Sequence, residues 1–176
     1  MRRLTPEILI AGLLFFVPLV LFWPQTGGGQ TLLPTENLYK FEPYASMADV
    51  GIPQNHLLDD LILQNYQWKS FIKDNITAGE IPLWNPHQFA GQPFMAAGQQ
   101  STLYPLSVLY YVMPLPAAYG WFTVVALWLA GWFMYGFLRG LGLSQIGGVV
   151  GGITYQLSGF LVVSAVHPMI IGAAVW

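Results

Sequence analysis

The chain has 176 residues, of which 55% are hydrophobic, 15% aromatic and only 8% charged. Soluble domains carry about 25% charged residues, so there is too little charge here to coat a globule, and an integral membrane class is the economical reading. The formal net charge of −2 excludes a nucleic-acid partner, which needs a basic patch, and the absence of cysteine excludes disulfides, thiolate metal sites and thiol nucleophiles.

Arg2 and Arg3 precede an uncharged apolar run, Ile8–Trp23. Basic residues before an apolar core also mark a secretory signal, but no small-x-small cleavage site comes after this one. Residues 1–23 are therefore expected to form an uncleaved transmembrane helix. Leu4–Pro6 extends it towards the roughly 20 residues a span needs, Pro18 is tolerated inside it, and Trp23 suits an interfacial anchor. Pro24 and Gly27–Gly29 then open a long loop, residues 24–116. Thr31–Ser46 mixes prolines, charges and aromatics without a period and reads as loop near the membrane surface.

Residues 57–76 predict an amphipathic helix. At 100° per residue Leu57, Leu58, Leu61, Ile62, Trp68, Ile72 and Ile76 cluster on one side, with Asp60, Gln64, Gln67 and Asp74 opposite. Leu63 and Phe71 interrupt the polar side. Such a helix would lie in the membrane interface or pack on the spans, showing its carboxylates and amides to water. Gly79 stops it, and Ile81–Pro93 is rich in turn residues. Ser101–Pro116, with Pro105, Pro114 and Pro116, predicts a short interfacial or re-entrant helix.

Residues 117–176 hold the remaining membrane segments. Tyr119–Leu138 is the strongest span, 20 uncharged residues ending at Arg139. Ile146–Val166 predicts a third span, and Gly147, Gly148, Gly151, Gly152 and Gly159 give it a small-residue face for close helix packing. His167-Pro168 breaks it, and an apolar run beginning at Met169 continues to Trp176, as in a truncated product. The expected fold is mainly α: three membrane spans, the start of a fourth, and a large extracytoplasmic first loop with amphipathic juxtamembrane helices. Arg2, Arg3 and Arg139 belong in the cytoplasm by the positive-inside rule. That places residues 24–116 outside, with three lysines against seven acidic residues and no basic residue near either end. The expected location is the cell inner (plasma) membrane, multi-pass, with the lipid bilayer as the first partner.

Asp59-Asp60 is the candidate acid pair. Two adjacent acids are also a common helix N-terminal turn, stabilised by the macrodipole, and Asn55 is a fair cap for it. Asp60 is the better functional candidate because Gln64 and Gln67 share its face. Beside apolar walls, its carboxylate would have a raised pKa and serve as a general base towards a hydroxyl. It would equally help hold a divalent cation on a phosphate leaving group. Among the histidines, His56, His87 and His167, no zinc-ligand spacing occurs. Asn85, Gln99 and Gln100 are candidate sugar hydrogen-bonders, although loop amides commonly satisfy backbone groups. Trp84 is a candidate stacking platform, or else an interfacial anchor.

One run of motifs resembles a known family. Asp60-Leu-Ile-Leu-Gln64-Asn-Tyr66-Gln-Trp68, Ala78-Gly-Glu-Ile-Pro-Leu-Trp-Asn-Pro86, Gly91-Gln-Pro93, Gln100, Tyr104-Pro-Leu106 and Tyr155-x-Leu-Ser158-Gly159 together resemble the YfhO-like bacterial membrane proteins, which are similar to the GT-C glycosyltransferases. Gln67 stands where proline is expected before the tryptophan. The resemblance covers Leu57–Gly159. It implies a multi-span fold, an acidic active-site residue in the first extracytoplasmic loop, a polyprenyl-phosphate sugar donor and a cell-envelope glycan or polymer acceptor. It gives Asp60 the acidic role and Gln64 a neighbouring polar one. The family has more spans than this chain supplies. The alternative is a non-catalytic membrane scaffold or transporter fragment, although the spans hold no acid or base of the kind that marks an ion path.

Overall fold

The computed structural model describes residues 4–47 and 55–176; Arg2, Arg3, Asp49 and the side chain of His56 lie outside them. The described chain is mainly helical. In order, the α-helices are α1 (Leu4–Leu21), α2 (Trp23–Thr26), α3 (Tyr66–Thr77), α4 (Val108–Val112), α5 (Leu115–Gly140), α6 (Gln145–Gln156), α7 (Gly159–Val163) and α8 (Pro168–Ala174). The strands β1 (Trp84–Asn85) and β2 (Gln92–Pro93) form one antiparallel pair, with Trp84 opposite Pro93 and Asn85 opposite Gln92. The chain divides into two compact units, Met1–Gln30 with Tyr119–Trp176, and Thr31–Ala118.

The first unit is the apolar one. Two stretches, Leu115–Gly140 and Gln145–Val166, are helical, long and apolar enough to cross a membrane. The apolar part of α1, Pro6–Leu21, is shorter. A core helix of a soluble protein would be mostly buried, yet only 44% of the apolar window in the first stretch and 28% in the second is covered by protein. Ile8, Leu9, Phe16, Val20, Ile146, Val150, Phe160 and Val163 are all exposed. The third predicted span is not one continuous helix. It divides at Leu157-Ser158 into α6, α7 and a 3-10 turn, Ser164–Val166.

Small residues let these helices approach. A Cβ on Gly152 would lie 2.8 Å from the Gly131 carbonyl oxygen, so α5 and α6 touch backbone to backbone there. Gly148 faces the Tyr135 ring and Gly151 the Leu138 side chain, whereas Gly159 meets nothing within 4 Å. Hydrogen bonds fix the helix directions. Trp128 Nε1 donates to the Ala11 carbonyl (3.0 Å) and the Tyr135 hydroxyl to Glu7 Oε2 (2.6 Å), so the first turn of α1 lies beside the last turns of α5. At the opposite end Gly120 packs against the Gln25 backbone, and Thr123 Oγ1 donates to the Ala165 carbonyl at 2.9 Å.

The second unit, Thr31–Ala118, is built on α3. The helix predicted over 57–76 starts as a 3-10 turn, His56–Leu58, capped by Asn55, whose Oδ1 accepts from the Leu57 amide at 2.9 Å. A π-helical turn, Leu61–Asn65, comes next and runs directly into α3. The buried side is Leu61, Ile62, Asn65, Lys69 and Ile72, while Leu57 is 88% exposed and Ile76 is also exposed. Leu33, Phe94 and Tyr110 complete this core. Ser101–Pro116 holds the short helix α4, preceded by the 3-10 turn Pro105–Ser107, and the start of α5. Pro116 does not break α5 but occupies its first turn, where the missing N–H costs nothing.

Candidate functional site

The chemistry-bearing residues of Thr31–Ala118 fall into three groups around α3 and the π turn before it. The first is the acid pair. Asp59 is held in place: Lys40 Nζ donates to both its oxygens (2.8 and 3.0 Å) and Asn37 Nδ2 to Oδ1 at 2.6 Å. Asn37 Nδ2 also reaches the Asn55 carbonyl, 2.9 Å away, so this ion pair pins the chain on both sides of residues 48–54. Asp60 is the opposite case. Its carboxylate is exposed, makes no hydrogen bond or ion pair among the described residues, and stands at the head of the π turn. Gln64 is exposed within that turn. A π turn inserts one residue into the α register, so the helical segments on its two sides are rotated by about 100° relative to each other, and such turns recur at functional sites.

The second group is a cleft of about 360 Å³ between the exposed face of α3 and the β1–β2 hairpin. From α3 come Gln67, Trp68, Phe71 and Asp74; from the hairpin come Asn85, His87 and Gln88. The hairpin is internally braced. Asn85 is buried, and its Oδ1 accepts from the His87 amide at 2.9 Å. Gln88 Oε1 accepts from Gln92 Nε2 (2.7 Å) and Asn85 Nδ2 (3.4 Å). Phe71 meets His87 edge-on (5.9 Å between ring centres) and Phe94 likewise (4.9 Å). Trp84, 54% exposed, lies over Gly91, where a Cβ would fall 2.7 Å from the indole and where φ is +108°. Only glycine fits both demands, which gives the Pro-Leu-Trp-Asn-Pro and Gly-Gln-Pro segments a common structural purpose.

The third group is Lys69. It is 1% exposed, and its Nζ donates to the Gln100 carbonyl (2.7 Å) and Ser101 Oγ (2.8 Å) while sitting 4.7 Å from the Tyr110 ring centre. Burial without a carboxylate partner lowers its pKa from 10.5 to about 7. Gln100 is thus buried and meets Lys69 through its backbone; its side-chain nitrogen has no partner among the described residues. The sequence carried a signal for Lys69. Seven residues from Ile62 and three from Ile72, it stands on the apolar face of the helix, as does Asn65.

The sequence candidates therefore do not converge. Asp59 and Asp60 lie at the π turn, with Gln64 inside it; Trp84 and Asn85 build the hairpin; Gln100 belongs to the Lys69 node. Asp74 and His87 face the cleft instead. Among the described residues no three His, Cys, Asp or Glu side chains group as metal ligands. No family model, curated protein or solved structure matches the chain.

Proposed function

We propose that this chain is a membrane glycosyltransferase of the GT-C type, or part of one, acting on the extracytoplasmic side of the inner membrane with a polyprenyl-phosphate sugar donor and a cell-envelope acceptor. The observation that carries this is the division of labour within the acid pair. Lys40 and Asn37 occupy Asp59, which leaves Asp60 exposed and uncommitted at a π turn. Asp60 is the general base. It takes the proton of the acceptor hydroxyl as that oxygen attacks the anomeric carbon, and the sugar–phosphate C–O bond breaks to release polyprenyl phosphate. Gln64, one turn on, orients the acceptor. A divalent cation on the leaving phosphate would be held largely by phosphate oxygens and water, as magnesium commonly is.

The arrangement of the apolar unit supports the sidedness. The first turn of α1 and the end of α5 with Arg139 share one end, while Gln25 and Gly120, which bracket the loop, share the other. Basic residues at the first end belong in the cytoplasm, so Thr31–Ala118 would face outwards, towards a lipid-linked donor.

The test is transfer of a radiolabelled sugar from its polyprenyl phosphate in membranes carrying the protein. Removal of a general base costs about 10²–10⁴ in rate, so Asp60→Ala is expected to lose at least about 100-fold, with Asp60→Asn equally impaired. Transfer at the unsubstituted rate in either variant overturns the assignment.

A further inference from the structure

We infer that the cleft between α3 and the β1–β2 hairpin is a binding site for a neutral, hydroxyl-rich sugar unit, the acceptor glycan if the chain is a transferase. Its volume of about 360 Å³ falls at the lower end of small-ligand pockets, about 300–1,000 Å³. Its wall is built in advance. Asn85 and Gln92 hold the Gln88 carbonyl oxygen, which leaves the Gln88 NH₂ to donate outwards. Phe71 is wedged between His87 and Phe94, so Trp68 is the ring left to receive the C–H face of a pyranose, whose weakly positive hydrogens suit the negative face of the indole.

Asp74 decides the ligand's charge. Its carboxylate is exposed to the cleft and makes no ion pair or hydrogen bond among the described residues. The two lysines of α3 are elsewhere: Lys69 is buried on the opposite face and Lys73 donates to the Met113 carbonyl. A wall with a carboxylate and no lysine or arginine rejects phosphate, so the lipid-phosphate donor does not bind here. Vicinal hydroxyls do: they donate to Asp74 and accept from the amides of Gln67 and Gln88.

Asp74 is also in the wrong place for stability. It occupies the last turn of α3, at the negative end of the helix dipole, and that turn holds no basic residue. A carboxylate there is unfavourable.

The experiment is saturation-transfer NMR with the whole protein in lipid nanodiscs, using cellotriose, chitotriose and maltotriose as probes and glucose 1-phosphate as the anionic counterpart. At least one trisaccharide is expected to bind through its ring protons. Asp74→Asn should weaken that binding by about 10-fold or more, the worth of a charged hydrogen bond, with a melting temperature unchanged or raised. Trp68→Ala should weaken it too. The inference is overturned if none of the three binds, if Asp74→Asn binds as the unsubstituted protein does, or if the sugar phosphate binds better. Because the readout is binding, its failure is separable from that of the transferase reading: loss of transfer in Asp60→Ala with no sugar in the cleft leaves the catalytic assignment standing alone.

Discussion

Lys69 is the residue at which charge and burial conflict most. Two neutral acceptors and a π face stabilise its ammonium, but none replaces a carboxylate. The pKa near 7 against 10.5 unfolded has a definite thermodynamic sign. Between those values the unfolded chain binds more protons than the folded one, so stability rises with pH through that window. Below pH 7 both states carry the proton and the full penalty applies. By linkage the rise amounts to about 4–5 kcal/mol. Thermal melts of the detergent-solubilised protein from pH 6.5 to 10.5 are expected to climb for the natural sequence and to run flatter for Lys69→Met, the two converging at the alkaline end. Parallel profiles would mean that Lys69 is charged throughout, with water at its head.

At the scale of elements, what could be read in the sequence depended on how many residues repeat one signal. The 20 uncharged residues Tyr119–Leu138 announced α5 without ambiguity, and the structure only lengthens it, because Pro116 falls in the first turn and starts the helix. The π turn at Leu61–Asn65 had no such signal. One inserted residue alters no composition, yet it breaks the α register between Asp60 and Gln67, and their common face depends on that register being continuous. The cleft was hidden for another reason: it needs the hairpin, and a two-residue strand pair is too short to show alternation. The glycine face was half legible. Spacing marks Gly148, Gly151, Gly152 and Gly159 alike, but only contact separates Gly152, against the Gly131 carbonyl, from Gly159 in open space. That difference is testable by melting in micelles. Gly152→Ala forces α5 and α6 apart and should cost about 1–3 kcal/mol. Gly136→Ala, in α5 with nothing within 4 Å, should be neutral or gain up to about 1 kcal/mol from helix propensity. Equal effects would show that the α5–α6 approach is looser than backbone contact.

For the molecule as a whole, the decisive quantity is sidedness, since a loop on the cytoplasmic face would never meet an extracytoplasmic acceptor. α5, with 26 residues, is about 39 Å long and exceeds the roughly 30 Å hydrocarbon core, so its two ends must emerge on opposite sides if it spans. Arg139 marks the end at which Glu7 and Tyr135 also meet, and the loop leaves from the other. The chain has no cysteine, so a single introduced one reports its own position without background. Glu80 and Leu141 are both exposed, the first just past α3 and the second just past α5, and neither side chain makes a hydrogen bond among the described residues. With a membrane-impermeant maleimide, Glu80→Cys is expected to label in intact cells and Leu141→Cys only after permeabilisation. The reverse pattern would invert the topology, put Asp60 and the cleft in the cytoplasm and overturn the proposed extracytoplasmic reaction. Labelling of both in intact cells would mean that α5 does not cross. Its exposed apolar side chains would then have to be covered by protein rather than by lipid.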